Sequence, residues 1–467
     1  MGRVLNRLAT LAAAAAVSAC TLAPAYQRPA LPIPPSWPAQ GSADTGAASA
    51  ADLAWRDVFV DRRLQAVIVL ALGQNRDLRV AVANIAKARA QYGIQRADLF
   101  PSVDASVSLT RSRTPASVSP TGSAIEASQY TAGVGLASYE VDLYGRVRSL
   151  NEAALQSFFA AEENRRAAQI SLIAEVAGDY LALAADQDLL KAATDTLSAR
   201  DASLGLTRSR FNAGAGSELD VNQAETLTEQ ARTDVATATT RVDQDRNALR
   251  LVVGTEVPAD LLPAGQVEAV RLRQDLPPGL PSDVLVRRPD VLSAEHALRA
   301  QNADIGAARA AFFPKITLIG SAGTASTELS GLFAAGSGAW SFAPSISLPI
   351  FNGGANVANL NLAKAGRDVA VAQYEKAIQS AFRDVADALA VQATIAQRIA
   401  SQERLVAAAD NARRLSQARY DRGVDSYLTL LDAQRTLYAA QQSLIATRLA
   451  QATNRVTLYT ALGGGGA

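Results

Sequence analysis

The chain has 467 residues, enough for two or three ordinary domains, but 5% aromatic residues, one Met and abundant alanine favour closely packed helices over bulky globular cores. The net charge of +1 excludes the large basic field that holds nucleic acid. A single His and a single Cys exclude a metal site rich in these residues and a disulfide within the chain.

The N-terminus has the parts of a secretory signal peptide. Two arginines give a positive start, residues 8–17 are apolar, and small residues precede Cys20. The segment VSAC resembles the lipobox of bacterial lipoproteins, in which the Cys is acylated and becomes the first residue. The next residue is Thr21 and not Asp, and in the sorting pattern of that family this favours the outer membrane over the inner membrane. We predict a signal peptide at 1–19 and lipidation at Cys20, which would anchor the chain in lipid; an ordinary signal peptide with an incidental Cys is the alternative.

Residues 20–54 are predicted to form the lipidated N-terminus and an extended linker. The part from 24 to 50 is rich in Pro, Ala, Ser and Gly, a composition typical of segments that do not pack. No later run reaches about 18 apolar residues, so we predict no membrane-spanning helix. Any part that crosses a membrane must then consist of strands.

An internal repeat divides the rest of the chain. Each half is predicted to contain a short helix, two strands, a long helix, a turn and a second long helix. We place the first repeat at 55–260 and the second at 261–467. The aligned segments are 209–231 with 418–440, and 99–109 with 312–322.

Alternating apolar and polar residues predict four strands. In the second of them the alternation changes phase after Leu136, so we predict a bulge near 137–138. Each strand has about 10 residues, the length that a tilted transmembrane strand needs, although a soluble hairpin would look similar. The predicted strands are 102–110, 129–143, 314–324 and 340–350.

Two stretches, 146–212 and 355–421, contain no Pro and few Gly. Each predicts one continuous helix of roughly 100 Å at about 1.5 Å per residue. Apolar residues recur at heptad spacing after Leu428, which indicates coiled-coil packing. Gly214 and Gly423 are predicted to end the two long helices as turn residues.

Four strands cannot close a transmembrane barrel, which needs about 8 or more. Open sheet edges are not tolerated in lipid, so several chains must share one barrel. The predicted fold class is therefore a mixed α and β membrane protein. Three chains with four strands each would form a trimeric 12-stranded outer-membrane β-barrel, continuous with a long periplasmic α-helical barrel.

Four long segments now identify a family. They are LVRRPDVLSAEHALRAQNADIGAARAAFFPKI at 285–316, PSISLPIFNGGANVANLNLA at 344–363, YEVDLYGRVR at 139–148 and YLTLLDAQRTLYAAQQ at 427–442. The chain resembles the bacterial outer-membrane factors, the TolC-like channel proteins. It is most similar to their lipoprotein branch, which serves resistance-nodulation-division efflux pumps. The resemblance covers nearly the whole chain from Cys20 onward.

The resemblance implies the outer-membrane channel of a tripartite efflux system, a passive exit duct for small molecules. It implies a homotrimer in outer-membrane lipid, with a periplasmic adaptor protein and an inner-membrane resistance-nodulation-division transporter as partners. No cofactor or catalytic centre is expected, because no phosphate loop, metal cluster or nucleophile–base pair occurs. Energy must come from the transporter. A type I protein-secretion duct and a periplasmic coiled-coil scaffold or adaptor lipoprotein are the alternatives.

The resemblance also implies a periplasmic gate early in the last long helix, at Leu428, Asp432 and Arg435. A ring of three Asp would filter ions by charge, a ring of Leu would exclude water, and Arg435 would latch neighbouring helices. By spacing alone, Leu428 fits the heptad core and the other two form an ordinary solvated pair. The turns around Gly214 and Gly423 are expected to dock the adaptor.

Overall fold

The structure is a computed structural model that describes residues 21–38, 53–274, 276 and 285–464. The predicted signal peptide and Cys20 lie outside the described residues. The chain forms two compact units, and each is described by itself. The strand unit comprises described residues within 21–29, 84–162 and 293–374, and the hairpin unit comprises those within 30–83, 163–292 and 375–464.

The described residues contain eight α-helices and four strands. The elements are α1 Trp55–Val58, α2 Arg62–Gln74, α3 Arg76–Ala97, β1 Val103–Thr114, β2 Ile125–Val141, α4 Arg146–Asn212, α5 Glu218–Val253, α6 Pro289–Ala310, β3 Lys315–Ser326, β4 Gly338–Ser347, α7 Ala355–Asp421 and α8 Tyr427–Ala461. Their order repeats: α3-β1-β2-α4-α5 is followed by α6-β3-β4-α7-α8, and corresponding helices have 22 and 22, 67 and 67, and 36 and 35 residues. The internal repeat and both long helices are thus confirmed.

The four strands form one antiparallel sheet in the order β1-β2-β3-β4, so β1 and β4 are its edges. Residues paired across strands lie on the same face of a sheet, and two pairs identify the faces of this one. Val107 faces Ala132 on the apolar face, whereas Ser321 faces Ser341 on the polar face and shares a hydrogen bond of 2.8 Å with it. On β4, Trp340 is 81% exposed on the apolar face.

The predicted bulge in β2 is confirmed. The register between β2 and β3 shifts between Leu136 and Tyr139. The bulge puts one extra residue in β2, so that the apolar residues before and after it lie on the same face of the sheet.

The backbones of β2 and β3 also lie close together at Gly133 and Gly323, which are paired directly. A methyl group on Gly323 would overlap the backbone of β2.

The segment that follows Cys20 packs, which corrects the prediction of an unpacked linker. In the strand unit, the Tyr26 hydroxyl donates to Glu295 at 3.1 Å. In the hairpin unit, Trp37 is 2% exposed and stacks on Phe382 at 4.9 Å. Proline and alanine dominate this segment, but its isolated aromatic residues supply enough apolar surface to hold it against helices. The rest of the predicted linker, 39–52, lies outside the described residues.

Arg288 and Pro289 have structural roles in the hairpin unit. Pro289 is the first residue of α6, where its missing N–H costs nothing. The buried Arg288 guanidinium binds both oxygens of Asp290 at 3.0 and 2.7 Å. It also donates to the Ala461 carbonyl oxygen at 2.6 Å, which places a positive charge at the carboxyl end of α8.

One described helix, α4, contains an 18-residue window that is apolar enough to cross a membrane by length and composition. This window includes charged residues, so it is not an uninterrupted run of about 18 apolar residues. Of that window, 44% is buried inside the chain, as in the core helices of many proteins.

Candidate functional site

The two long helices end in equivalent turns within the hairpin unit. Gly214 and Gly423 have φ angles of +71° and +73°, which glycine adopts without strain. Their N–H groups donate at 2.9 Å to the carbonyl oxygens of Phe211 and Tyr420. In both turns the next residue donates to the carbonyl oxygen five residues earlier, also at 2.9 Å, which completes a Schellman motif. Both glycines therefore end the long helices as predicted.

Tyr420 joins the second turn to the first repeat. Its side chain is buried, and its hydroxyl lies 3.2 Å from the Thr207 hydroxyl on α4. Its ring lies 5.4 Å from that of Tyr427, at the start of α8. The equivalent of Tyr420 in the first repeat, Phe211, is an exposed side chain. The two turns thus share a backbone geometry but differ in what their aromatic residues contact.

The predicted gate residues share one exposed face of α8. Leu428, Asp432 and Arg435 recur at four- and three-residue spacing, and all three are exposed, Leu428 by 60%. Leu428 is therefore not part of the chain's own core. We name these three residues the exposed stripe. The opposite face is buried and consists of Tyr427, Leu430, Leu431 and Gln434.

Within the described residues, neither Asp432 nor Arg435 makes an ion pair within 4 Å. Asp432 and Arg435 therefore do not form the ordinary solvated pair that their spacing alone suggests. In the first repeat, Leu219 occupies the position of Leu428 and is 64% exposed, whereas Gln223 occupies the position of Asp432. Only the second repeat combines an exposed leucine with a carboxylate.

A charged cluster in the strand unit fastens the ends of β2 and β3. Glu140 accepts two hydrogen bonds from Arg146 at 2.8 and 2.6 Å, and Lys315 lies 3.0 Å from the same carboxylate. Arg146 is the first residue of α4, so this cluster joins a strand end to a helix start. Sequence reasoning missed these contacts, although Glu140 and Arg146 both lie in one of the segments that carry the family resemblance.

The segment after Cys20 follows α6 in the antiparallel direction within the strand unit. Arg309, near the end of α6, donates to the Leu22 carbonyl oxygen at 3.0 Å. Asn302, two turns earlier, donates to the Pro24 carbonyl oxygen at 2.7 Å. The chain thus approaches the end of α6 that leads into β3 as it nears residue 20.

Among the described residues, no group of three or more His, Cys, Asp or Glu side chains is arranged to hold a metal ion. The described residues form two repeated helical hairpins and one sheet with an apolar face and a polar face. Two sheet edges remain to be paired. Such features are typical of a channel-forming protein of the outer membrane.

The chain belongs to the outer membrane efflux protein family, whose model matches residues 67–255 and 280–464. The predicted resemblance is thus confirmed. The protein is an outer-membrane component of an efflux system, and its function is transport.

The toluene efflux pump outer membrane protein TtgC of Pseudomonas putida is 48% identical over 450 residues, covering 96% of this chain and 93% of TtgC. The outer membrane protein OprJ of Pseudomonas aeruginosa is 45% identical, over 98% of this chain and 95% of OprJ. Among solved structures, the open state of the Neisseria gonorrhoeae MtrE outer membrane channel superposes with a TM-score of 0.86. It is 42% identical, over 96% of this chain and 98% of that one.

Proposed function

We propose that the protein is the passive exit channel of a tripartite pump for small molecules. Three copies would form a 12-stranded barrel in the outer membrane and a helical tube in the periplasm. The observation that carries this proposal is the sheet, in which β1 and β4 each pair on one side only. A sheet edge in lipid leaves backbone groups without partners, so each copy needs a neighbour at both edges.

The two faces of the sheet support the orientation of this barrel. The apolar face, with Trp340 and Val107 exposed, suits lipid, and the polar face with its Ser–Ser pairs suits a water-filled lumen. We place the repeats at 55–260 and 261–467, so that a trimer has six similar hairpins around one axis.

We propose that the exposed stripe forms the periplasmic gate. Asp432 and Arg435 have no ion-pair partner within the described chain, and Leu428 exposes a large apolar surface that favours contact with other copies. Three copies would bring three carboxylates to one axis, where they attract cations and repel anions. The leucines would narrow the same opening and exclude water.

We propose that a periplasmic adaptor docks at the turns around Gly214 and Gly423 and links the channel to an inner-membrane resistance-nodulation-division transporter. The open space around both glycines supports close approach of another chain, because nothing lies within 4 Å of where their side chains would be.

The relatives' names refer to pumps for toluene and other solvents. Small apolar molecules are therefore the substrate class we would test first.

We propose that Cys20 carries a lipid anchor in the outer membrane and that residues 1–19 are removed as a signal peptide. The direction of the following segment supports this, because Leu22 contacts the end of α6 that leads into a strand. An acyl chain attached two residues away would lie near the sheet and thus near the membrane.

Single-channel conductance in a planar bilayer tests the proposal. We would compare wild type with Asp432→Ala and, as a matched control, Gln223→Ala at the equivalent position of the first repeat. We expect wild type to conduct with cation preference, Asp432→Ala to conduct more and lose that preference, and Gln223→Ala to resemble wild type. Unchanged conductance in Asp432→Ala would remove it from the gate. A wild-type protein that extracts without detergent and does not conduct would instead support a scaffold.

A further inference from the structure

A buried arginine lies between three helices of the hairpin unit, close to the exposed stripe. Arg200, on α4, is only 5% exposed. Its guanidinium donates to the Leu227 carbonyl oxygen on α5 at 2.8 Å, and it lies 5.8 Å from the centre of the Tyr438 ring on α8. One side chain thus contacts the first hairpin and the helix that carries Leu428, Asp432 and Arg435.

The second repeat does not have this arginine. Ala409 occupies the equivalent position and packs with Leu437 and Ala440 in an apolar cluster. In the first repeat, Thr228 takes the place of Leu437. The same layer of the fold is therefore polar in one hairpin and apolar in the other. The fold itself does not require an arginine at this position.

The polar layer around Arg200 has a high energetic cost. Within the described residues, the Arg200 Nε, the Thr228 hydroxyl and the Gln434 carbonyl oxygen are buried and have no hydrogen-bond partner. Asp234 supplies a negative charge nearby, whereas burial and the positive charge of Arg435 lower the pKa of Arg200. A protein with buried ionic groups is often less stable than one with well-packed apolar residues of the same size at those positions. Residues that depart from such local rules concentrate at functional sites.

We propose that Arg200 is a positioning residue for the gate, which holds α8 so that its exposed stripe faces the channel axis. The contact with Tyr438 fixes one face of α8, three residues beyond Arg435. Arg435 itself is exposed, so the stripe lies away from this buried layer. Because only the first repeat has the arginine, each copy has one contact of Arg200 with Tyr438, which joins α4 to α8.

This inference rests on the proposed channel function, and the experiment separates the two. We would compare the single-channel conductance and melting temperature of wild type, Arg200→Met and Arg200→Lys. Arg232→Met is the matched control, because Arg232 is an exposed arginine on α5 whose ion pairs lie on the surface. A wild-type channel that does not conduct would overturn the proposed function and this inference with it.

We expect Arg200→Met to keep or raise the melting temperature, because an apolar side chain suits this layer, and to change conductance at least about twofold. Arg200→Lys keeps the charge but loses the planar contact with Tyr438, so its conductance should change in the same direction. Arg232→Met should resemble wild type. Adding Asp432→Ala should abolish most of the effect of Arg200→Met, because both act on one gate.

Conductance at the wild-type level in both Arg200 variants would overturn the inference while leaving the channel intact. Effects of Arg200→Met and Asp432→Ala that simply add would also overturn it, since Arg200 would then act elsewhere. If Arg200→Met does not assemble, the Arg200→Lys variant decides, and wild-type conductance from it contradicts the proposal.

Discussion

The guanidinium group of Arg210 lies 4.3 Å from the centre of the Tyr420 ring and donates to the carbonyl oxygen of the same residue at 3.0 Å. It also donates to the Asp421 carbonyl oxygen at 2.9 Å. These are carbonyl groups of the last turn of α7, which lack partners within the helix. Arg419, the equivalent of Arg210, binds Asp425 in its own turn instead. The arginine of the first repeat thus binds the turn of the second repeat, whereas the equivalent arginine of the second repeat binds within its own turn.

We expect Arg210→Ala to loosen the end of α7. The substitution removes two hydrogen bonds and a cation–π contact, together worth about 1–3 kcal/mol. Amide hydrogen exchange in residues 421–424 should become roughly tenfold faster or more. Arg419→Ala is the control, because it breaks only a contact within one turn. Equal exchange in the two variants would contradict a role for Arg210 in joining the hairpins.

Glu295 is expected to hold the segment after Cys20 against α6. Its buried carboxylate accepts hydrogen bonds from Tyr26, from Arg28 at 2.6 Å and from Arg299 at 2.7 Å. Glu295→Ala would leave Arg299 and Arg28 without this partner; because these side chains are 38% and 45% exposed and can be hydrated, we expect a cost of about 1–3 kcal/mol. Limited chymotrypsin digestion should then cleave after Tyr26, before Gln27, faster than in wild type.

Glu152→Ala is the control for Glu295, because the Glu152 carboxylate accepts a hydrogen bond of 2.7 Å from Gln156 on its own helix. If chymotrypsin cleaves after Tyr26 at the same rate in both variants and in wild type, the Glu295 carboxylate does not retain the segment.

The Asp245 carboxyl group on α5, which faces Asp186 on α4, is expected to make the stability of the hairpin unit depend on pH. Burial, the hydrogen bond and negative charge of Asp186 and the charge of Asp179 raise the pKa of Asp245 to about 7, although Arg241 opposes this. In the unfolded chain an Asp has a pKa of about 3.9. Between these values the folded state keeps a proton that the unfolded state has lost. Stability should therefore fall as pH rises from about 4 to about 7, and change little above that.

Asp245→Asn should remove this fall, because the amide binds no proton and keeps a hydrogen bond to Asp186. The melting temperature in detergent, measured from pH 4.5 to 8, checks the prediction against wild type. Asp243→Asn is the control, because Asp243 is exposed on the same helix and pairs with Arg246 at 3.1 Å. A wild-type slope that persists in Asp245→Asn would assign the pH dependence to other groups.

Gly323→Ala should prevent the sheet from forming correctly. A methyl group there would overlap the Ala132 carbonyl oxygen and Gly133, both backbone groups that cannot move aside cheaply. Gly320→Ala is the control in the same strand, because its methyl group would meet Ser341 at an ordinary 3.5 Å. We expect much less Gly323→Ala than Gly320→Ala in outer-membrane fractions as a protease-resistant species. Equal amounts would show that the strands tolerate separation.

Local signals in the sequence predict the helices and the bulge well. The bounds of α4 and α7 follow from the absence of Pro between Arg146 and Asn212 and from the glycines beyond each end. The bulge follows from the change of phase after Leu136. The start of β2 was less predictable: it begins at Ile125 and not at 129, because its first three residues are exposed and follow a loop rich in Ser, Pro and Gly.

Contacts between distant segments were not predictable. Composition predicts an unpacked linker, but Trp37 is a single aromatic residue whose partner, Phe382, is far away in the chain. The position of Arg200 between three helices depends on Leu227 and Tyr438, which belong to different hairpins. A heptad pattern shows which residues of α8 are apolar, but not that Leu428 remains exposed.

The two edges of the sheet have a genetic consequence. In the proposed trimer each copy offers β1 to one neighbour and β4 to the other. A copy with a defective β4 still enters a ring through β1 and leaves that ring open. If normal and defective alleles are expressed equally, only about one ring in eight contains no defective copy. A missense allele in β4 would therefore be dominant over the normal gene, whereas a complete deletion would be recessive.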